Sequence, residues 1–136
     1  MAGTIPNEGE QYILENCFKN ASPEAFTLKL YTNNATLANT NTSATFTEAA
    51  MAGYAAKSLA RATFNAATAG SPSYITYPVQ NFAFTGSGTI YGYYIVGATS
   101  GKVYAAEAVY PSGQAVVSGD QINITPKITL GSVTND

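Results

Sequence analysis

Side chains that exchange protons, hold metals or attack as nucleophiles are scarce in this chain. It has no histidine, which removes the usual metal ligand and the usual general base near neutral pH. Its carboxylates are Glu8, Glu10, Glu15, Glu24, Glu48, Glu107, Asp120 and Asp136. Glycoside hydrolysis would need two of them facing each other across a cleft, about 5–10 Å apart. Only Glu107 and Asp120 fall in the strongly β-patterned region. Asp120 closes a Ser118-Gly119-Asp120 turn, where aspartate bonds its own backbone, and a solvated or interface salt-bridge role suffices for Glu107. Cys17 is the single cysteine, so no intrachain disulfide forms. Between Leu14 and Phe18 it reads as a small buried hydrophobe, with only Glu15 and Asn16 nearby to activate a thiol. Gly86-Ser87-Gly88 lacks the frame of a nucleophile elbow and the lysine of a phosphate loop, and reads as a hairpin turn. No acidic run has EF-hand spacing. These residues predict no enzyme, no cofactor and no metal.

Charge is equally sparse. Six Lys and Arg stand against eight Asp and Glu, a formal net of −2. Lys29, Lys57, Arg61, Lys102 and Lys127 are scattered, whereas a nucleic-acid binder gathers cations on one face, so no direct nucleic-acid contact is expected. The surface must consist largely of Thr, Ser, Asn, Ala, Gly and Tyr. Soluble monomers keep roughly a quarter of their surface charged. A neutral surface is tolerable when partners cover it, which predicts an oligomer or a coat-like assembly. The opening MAGTIPNEGEQY has no basic segment before an apolar run, and no later stretch could span a bilayer. No membrane partner is expected, and assembly in a cytoplasm is. Sequons at Asn20, Asn34, Asn41 and Asn123 carry no weight without secretion.

The elements that must carry this surface are mainly β. The chain of 136 residues, 46% apolar, suits one β-rich domain over 1–136, with 1–22 as an N-terminal helix or arm. Residues 7–20 read as the helix. Asn7 would cap it in a box with Glu10, and Ile13, Leu14, Cys17 and Phe18 would form its buried stripe. Residues 25–31 alternate, with Phe26, Leu28 and Leu30 on one face. Residues 32–45 form a long polar loop whose tip, 33–43, is expected to lack order. Residues 46–54 read as a short second helix begun by Thr47, and 56–66 as a strand. From residue 73 onward, short strands alternate with Gly, Pro and Ser turns. The most β-prone, 89–96, reads as one strand covered on both sides, with Gly92 admitting a close neighbour and 102–109 as its antiparallel partner. Ile122 and Ile124 point inward, and 127–130 forms an edge after Pro126. The pattern predicts an antiparallel β-sandwich or barrel, jelly-roll-like.

Ten tyrosines are the unusual feature. Simple alternation puts Tyr91 and Tyr93 on one face with Ile95, and Tyr94 on the other with Ile90 and Val96. Half-buried packing at the core edge accounts for most of them, and a subunit interface is the functional alternative. The candidate interface residues are Tyr31, Asn33, Asn34, Tyr74, Tyr77, Tyr91, Tyr93, Tyr104 and Tyr110. A sugar-stacking platform would lack tryptophan and nearby cations.

Five stretches, IPNEGEQYILENCFKN, FTLKLYTNN, FTEAAMAGYAAKSL, TYPVQNFAFTGSGTIYGYYIV and VVSGDQINITPKITL, span nearly the whole chain. Together they resemble small tailed-phage virion structural proteins, above all the head cement (decoration) class. The resemblance implies a small β-sandwich or barrel, a homotrimer, and non-covalent clamping of neighbouring major capsid subunits on the outside of the head. The N-terminal helix or the tip at 33–43 would then be the element that reaches out. The long opening helix departs from the flexible arm of many decoration proteins and points also to a tail or neck adaptor. A tail-associated carbohydrate-binding module is the alternative from another class.

Overall fold

The computed structural model describes residues 4–19, 22–70 and 72–130. The fold is mostly β, with one N-terminal helix and antiparallel sheets. A four-stranded sheet has the order β2 (Lys57–Leu59), β1 (Phe26–Tyr31), β6 (Gly92–Gly97), β7 (Val103–Glu107). Three two-stranded ribbons surround it: β3 (Ser73–Thr76) with β10 (Lys127–Leu130), β4 (Gln80–Ala83) with β9 (Gln121–Ile124), and β5 (Gly88–Ile90) with β8 (Gln114–Val116). Among the described residues no sheet closes into a barrel.

The four-stranded sheet is covered on both faces. Leu28, Leu30, Tyr93 and Ile95 face the ribbons, packing on Phe82, Phe84, Ile90, Val116, Ile122 and Ile124. Tyr31, Tyr94, Val96 and Val103 face the other way, under Phe46, Ala35 and Leu37 of the polar loop. That loop is tied down, contrary to the expected lack of order at 33–43. Asn33 donates to the Thr45 carbonyl at 2.9 Å and accepts from the Thr47 N–H at 2.9 Å. The buried Asn41 accepts from the Ala38 N–H at 2.7 Å and donates to the Thr36 carbonyl at 3.2 Å.

Residues 46–54 form no helix. Phe46 and Ala49 must enter opposite cores, which a helical turn could not arrange. Their backbone instead runs beside β1, with Thr32 N–H bonding Thr47 O and Ala49 N–H bonding Leu30 O, both at 2.9 Å. The strand expected over 56–66 is only β2, followed by a 3-10 turn at Arg61–Thr63. Gly86-Ser87-Gly88 does turn the chain, but β4 and β5 on either side pair with β9 and β8, so it is a crossover rather than a hairpin.

The run 89–96 is two strands that break at Tyr91. The Tyr91 N–H bonds Tyr31 O at 3.0 Å, and Tyr91 O accepts from Tyr110 N–H at 2.8 Å. The break shifts the alternation by one residue. Ile90 therefore shares a core with Tyr93 and Ile95, while Tyr91 packs with Tyr94 and Val96.

Helix α1 (Asn7–Leu14) passes into a π-helical turn, Glu15–Lys19; Asn20 lies outside the described residues. Its N-cap is Pro6, without a side-chain cap bond, so the Asn7–Glu10 box does not form. Asn7 is instead the first helical residue and gives its N–H to Asn39 O at 2.9 Å. The expected stripe is also displaced: Leu14 is 59% exposed and Cys17 is exposed. The buried positions are Gly9 and Asn16, because the helix lies against the β7 backbone. A side chain at Gly9 would meet the Val103 and Tyr104 carbonyl oxygens. The wider π turn then rotates Cys17 out of the phase that a 3.6-residue period assigns it.

Candidate functional site

The first-turn Glu8 pins the helix to β7 by accepting the Val103 N–H at 2.9 Å. Glu24, just before β1, grips the β6–β7 turn. One of its oxygens accepts the N–H groups of Thr99 and Ser100 at 2.9 and 2.8 Å. The other accepts the hydroxyls of Ser100 and Tyr104 at 2.8 and 2.7 Å. The Asn16 amide donates to the Tyr104 hydroxyl and so joins the helix to this network. Burial works against the Glu24 charge, but the bonds from Ser100, Tyr104 and Thr99 outweigh it and hold the carboxyl below its ordinary 4.5.

A group whose pKa falls on folding stabilises the fold above its unfolded value and loses that contribution as pH drops through its folded value. Glu24→Gln removes the charge and turns one acceptor into a donor facing two hydroxyls. The expected cost at pH 7 is about 2 kcal/mol. The gap to the parent should narrow as pH falls below the ordinary 4.5, read from urea midpoints at pH 7 and in acid.

Beside this network a cleft of about 370 Å³ opens between the helix and the β3–β10 ribbon. Ile13 and Cys17 form one wall, Ile75, Ile128 and Leu130 the other, and Phe26, Phe64 and Tyr104 contribute aromatic rings. The β3–β10 register pairs Ile128 with Ile75 and Leu130 with Ser73, which places these side chains on one face of the ribbon. Arg61 is the cation on the lining, and no carboxylate lines it. Its guanidinium lies 5.8 Å from the Phe26 ring centre and gives one bond to Glu24 O at 3.2 Å. The ion pairs among the described residues are Lys19–Glu15, Lys29–Glu48 and Lys102–Glu8, so Arg61 has no acidic partner there.

Glu48, Asp120 and Glu107 are occupied structurally. Glu48 accepts from Tyr54 at 2.9 Å and pairs with Lys29 at 3.2 Å. Asp120 accepts the Val117 N–H of its own turn at 2.8 Å, as the sequence predicts. Glu107 takes a hydrogen bond from the Tyr93 hydroxyl at 2.8 Å. Among the described residues no group of His, Cys, Asp or Glu could hold a metal ion.

Of the candidate interface residues, Tyr31, Tyr77, Tyr93 and Tyr104 are at most 6% exposed within the chain itself. That corrects their assignment to a surface, and the Asn33 amide is spent inside its loop. Asn34 is exposed, and Tyr74, Tyr91 and Tyr110 are half-buried. They do not form one patch with the cleft, which among the nine candidates takes in only Tyr74 and Tyr104.

The buried hydroxyls have a different task. Short ribbons leave backbone groups without strand partners, and tyrosines supply them. Tyr54 accepts from Leu30 N–H at 3.2 Å, Tyr77 from Ala60 N–H at 3.2 Å, and Tyr93 from Lys127 N–H at 3.0 Å. Tyr31 donates to Glu107 O at 3.4 Å. Burial, then the Glu107 charge, pushes Tyr31 up to about 12, so it is a neutral donor throughout the physiological range.

Comparisons with protein-family models, with curated proteins and with solved structures give no match.

Proposed function

We propose that this chain is a non-catalytic virion subunit, a phage head cement protein that binds the assembled shell and stabilises it by non-covalent contacts. The observation that carries this reading is the fate of the acids. Among the described residues Glu8, Glu15, Glu24, Glu48, Glu107 and Asp120 each hold backbone, hydroxyl or cation partners of the fold, Glu10 is exposed on the helix, and neither depression described here is lined by two carboxylates. A sparsely charged surface and an apolar cleft are suited to packing against neighbours. We read the antiparallel sheets as a jelly-roll-like sandwich, and the working form as a homotrimer on the major capsid protein, assembled in the host cytoplasm without membrane or direct nucleic-acid contact.

Such a protein acts by mass action. It binds the closed lattice and not the loose subunit, so each bound copy adds to the free energy needed to open the shell. Three linked patches per trimer would act as one strong clamp even if each were weak. Native mass measurement should give three times the 14.2 kDa chain mass; a monomer at micromolar concentration would count against the trimer. A tail or neck adaptor shares the same chemistry and differs in location within the particle. The carbohydrate-binding alternative has one observation in its favour, a shallow depression where Tyr110, Gln114, Asp120 and Gln121 converge. Titration calorimetry with bacterial surface glycans tests it, and heat of binding lost in Tyr110→Ala would favour it.

A further inference from the structure

On the reading that the chain is a shell-binding subunit, we infer that the cleft between the helix and the β3–β10 ribbon receives a segment of the neighbouring shell subunit. In that segment a large apolar side chain stands beside an aspartate or glutamate. The apolar half of the statement rests on the walls. Ile75, Ile128 and Leu130 project from one ribbon face toward Ile13 and Cys17, and Leu130 remains 54% exposed. A volume of about 370 Å³ accommodates one or two large side chains. The acidic half rests on charge. Arg61 lines the cleft with no carboxylate on the lining and no ion pair among the described residues, and it uses one donor on a carbonyl. Its remaining donors suit a carboxylate, and the Phe26 ring behind it holds the guanidinium in place.

Cys17 is the only cysteine and opens onto this cleft, so it reports directly on what fills it. N-ethylmaleimide should alkylate Cys17 readily in the free oligomer and at least about tenfold more slowly once the full chain is bound to assembled heads. Arg61→Gln should weaken head binding about tenfold, as loss of a charge-assisted bond does, while Arg61→Lys, which keeps the charge but not the planar fork, restores only part of it. A photoactivatable benzophenone on Cys17 should cross-link, on heads, to an apolar residue of the shell subunit next to Asp or Glu.

Equal alkylation rates in free and head-bound chain would overturn the inference and leave the functional reading standing. So would cross-links confined to the same chain or to a second copy. Should the unlabelled chain fail to bind heads at all, the functional reading falls and this inference with it.

Discussion

Gly92→Ala is expected to be the most damaging single-methyl change in the protein, costing about 3 kcal/mol or more. A methyl group at this buried position would fall onto the Glu107 carbonyl oxygen and the Tyr31 ring and hydroxyl. Neither neighbour can withdraw, because one is the backbone of β7 and the other is fully buried. Domains of this size are stable by only about 5–15 kcal/mol, so the variant should show a clearly lowered urea midpoint or accumulate insoluble. Gly101→Ala is the control. Its φ of +70° strains an alanine, but no atom lies within 4 Å of the new methyl. About 1 kcal/mol is expected there from backbone conformation alone. Equal effects at the two positions would contradict the packing described.

Tyr31→Ala should cost about 4 kcal/mol, in the range for emptying an aromatic core position. Tyr31 is the centre of the second core, with the Phe46 and Tyr94 ring centres 4.9 and 6.3 Å away. Phe46 closes the 32–47 loop over that core, so the loop should lose its anchor with the ring. Limited proteolysis should therefore cut between residues 34 and 45 in the variant and spare the parent. Tyr31→Phe keeps the ring and loses one long hydrogen bond, so it should cost about 1 kcal/mol or less and leave the loop resistant. Cleavage of the phenylalanine variant at the parent's slow rate separates ring packing from the hydroxyl.

What was legible in the sequence follows from how burial writes itself into residue order. Leu28 and Leu30 in β1, Phe82 in β4, and Ile122 and Ile124 in β9 alternate with exposed or half-buried residues, and their inward faces could be read directly. Gly92 stood out because a glycine inside so β-prone a run needs a close neighbour, and Glu107 and Tyr31 are those neighbours. The break at Tyr91 leaves no mark in the sequence, since Ile90, Tyr91, Gly92 and Tyr93 can be buried on either face. The second helix failed because helix-favouring alanines at 49, 50 and 52 were overridden by pairing with β1. The opening helix was found, but its buried face was not. A stripe argument looks for large apolar side chains, and this helix docks through a glycine and polar bonds from Glu8 and Asn16.

The cleft was harder still. Cys17, Arg61, Ile75 and Leu130 are distant in sequence, and only the fold brings them to one cavity. The tyrosines are conspicuous in the sequence because each joins a ring that packs to a hydroxyl that bonds. Their partners proved to be unpaired backbone groups at the ends of short strands, which no spacing rule encodes.

Co-sedimentation with phage heads tests the central claim most directly. Purified chain should pellet with closed heads at a fixed ratio to the shell subunit, stay in solution with dissociated subunits, and raise the temperature at which heads open. Cryo-EM of those heads should place its density on the capsid exterior. Equal affinity for loose and assembled subunits, or density confined to the neck or tail, would contradict the account.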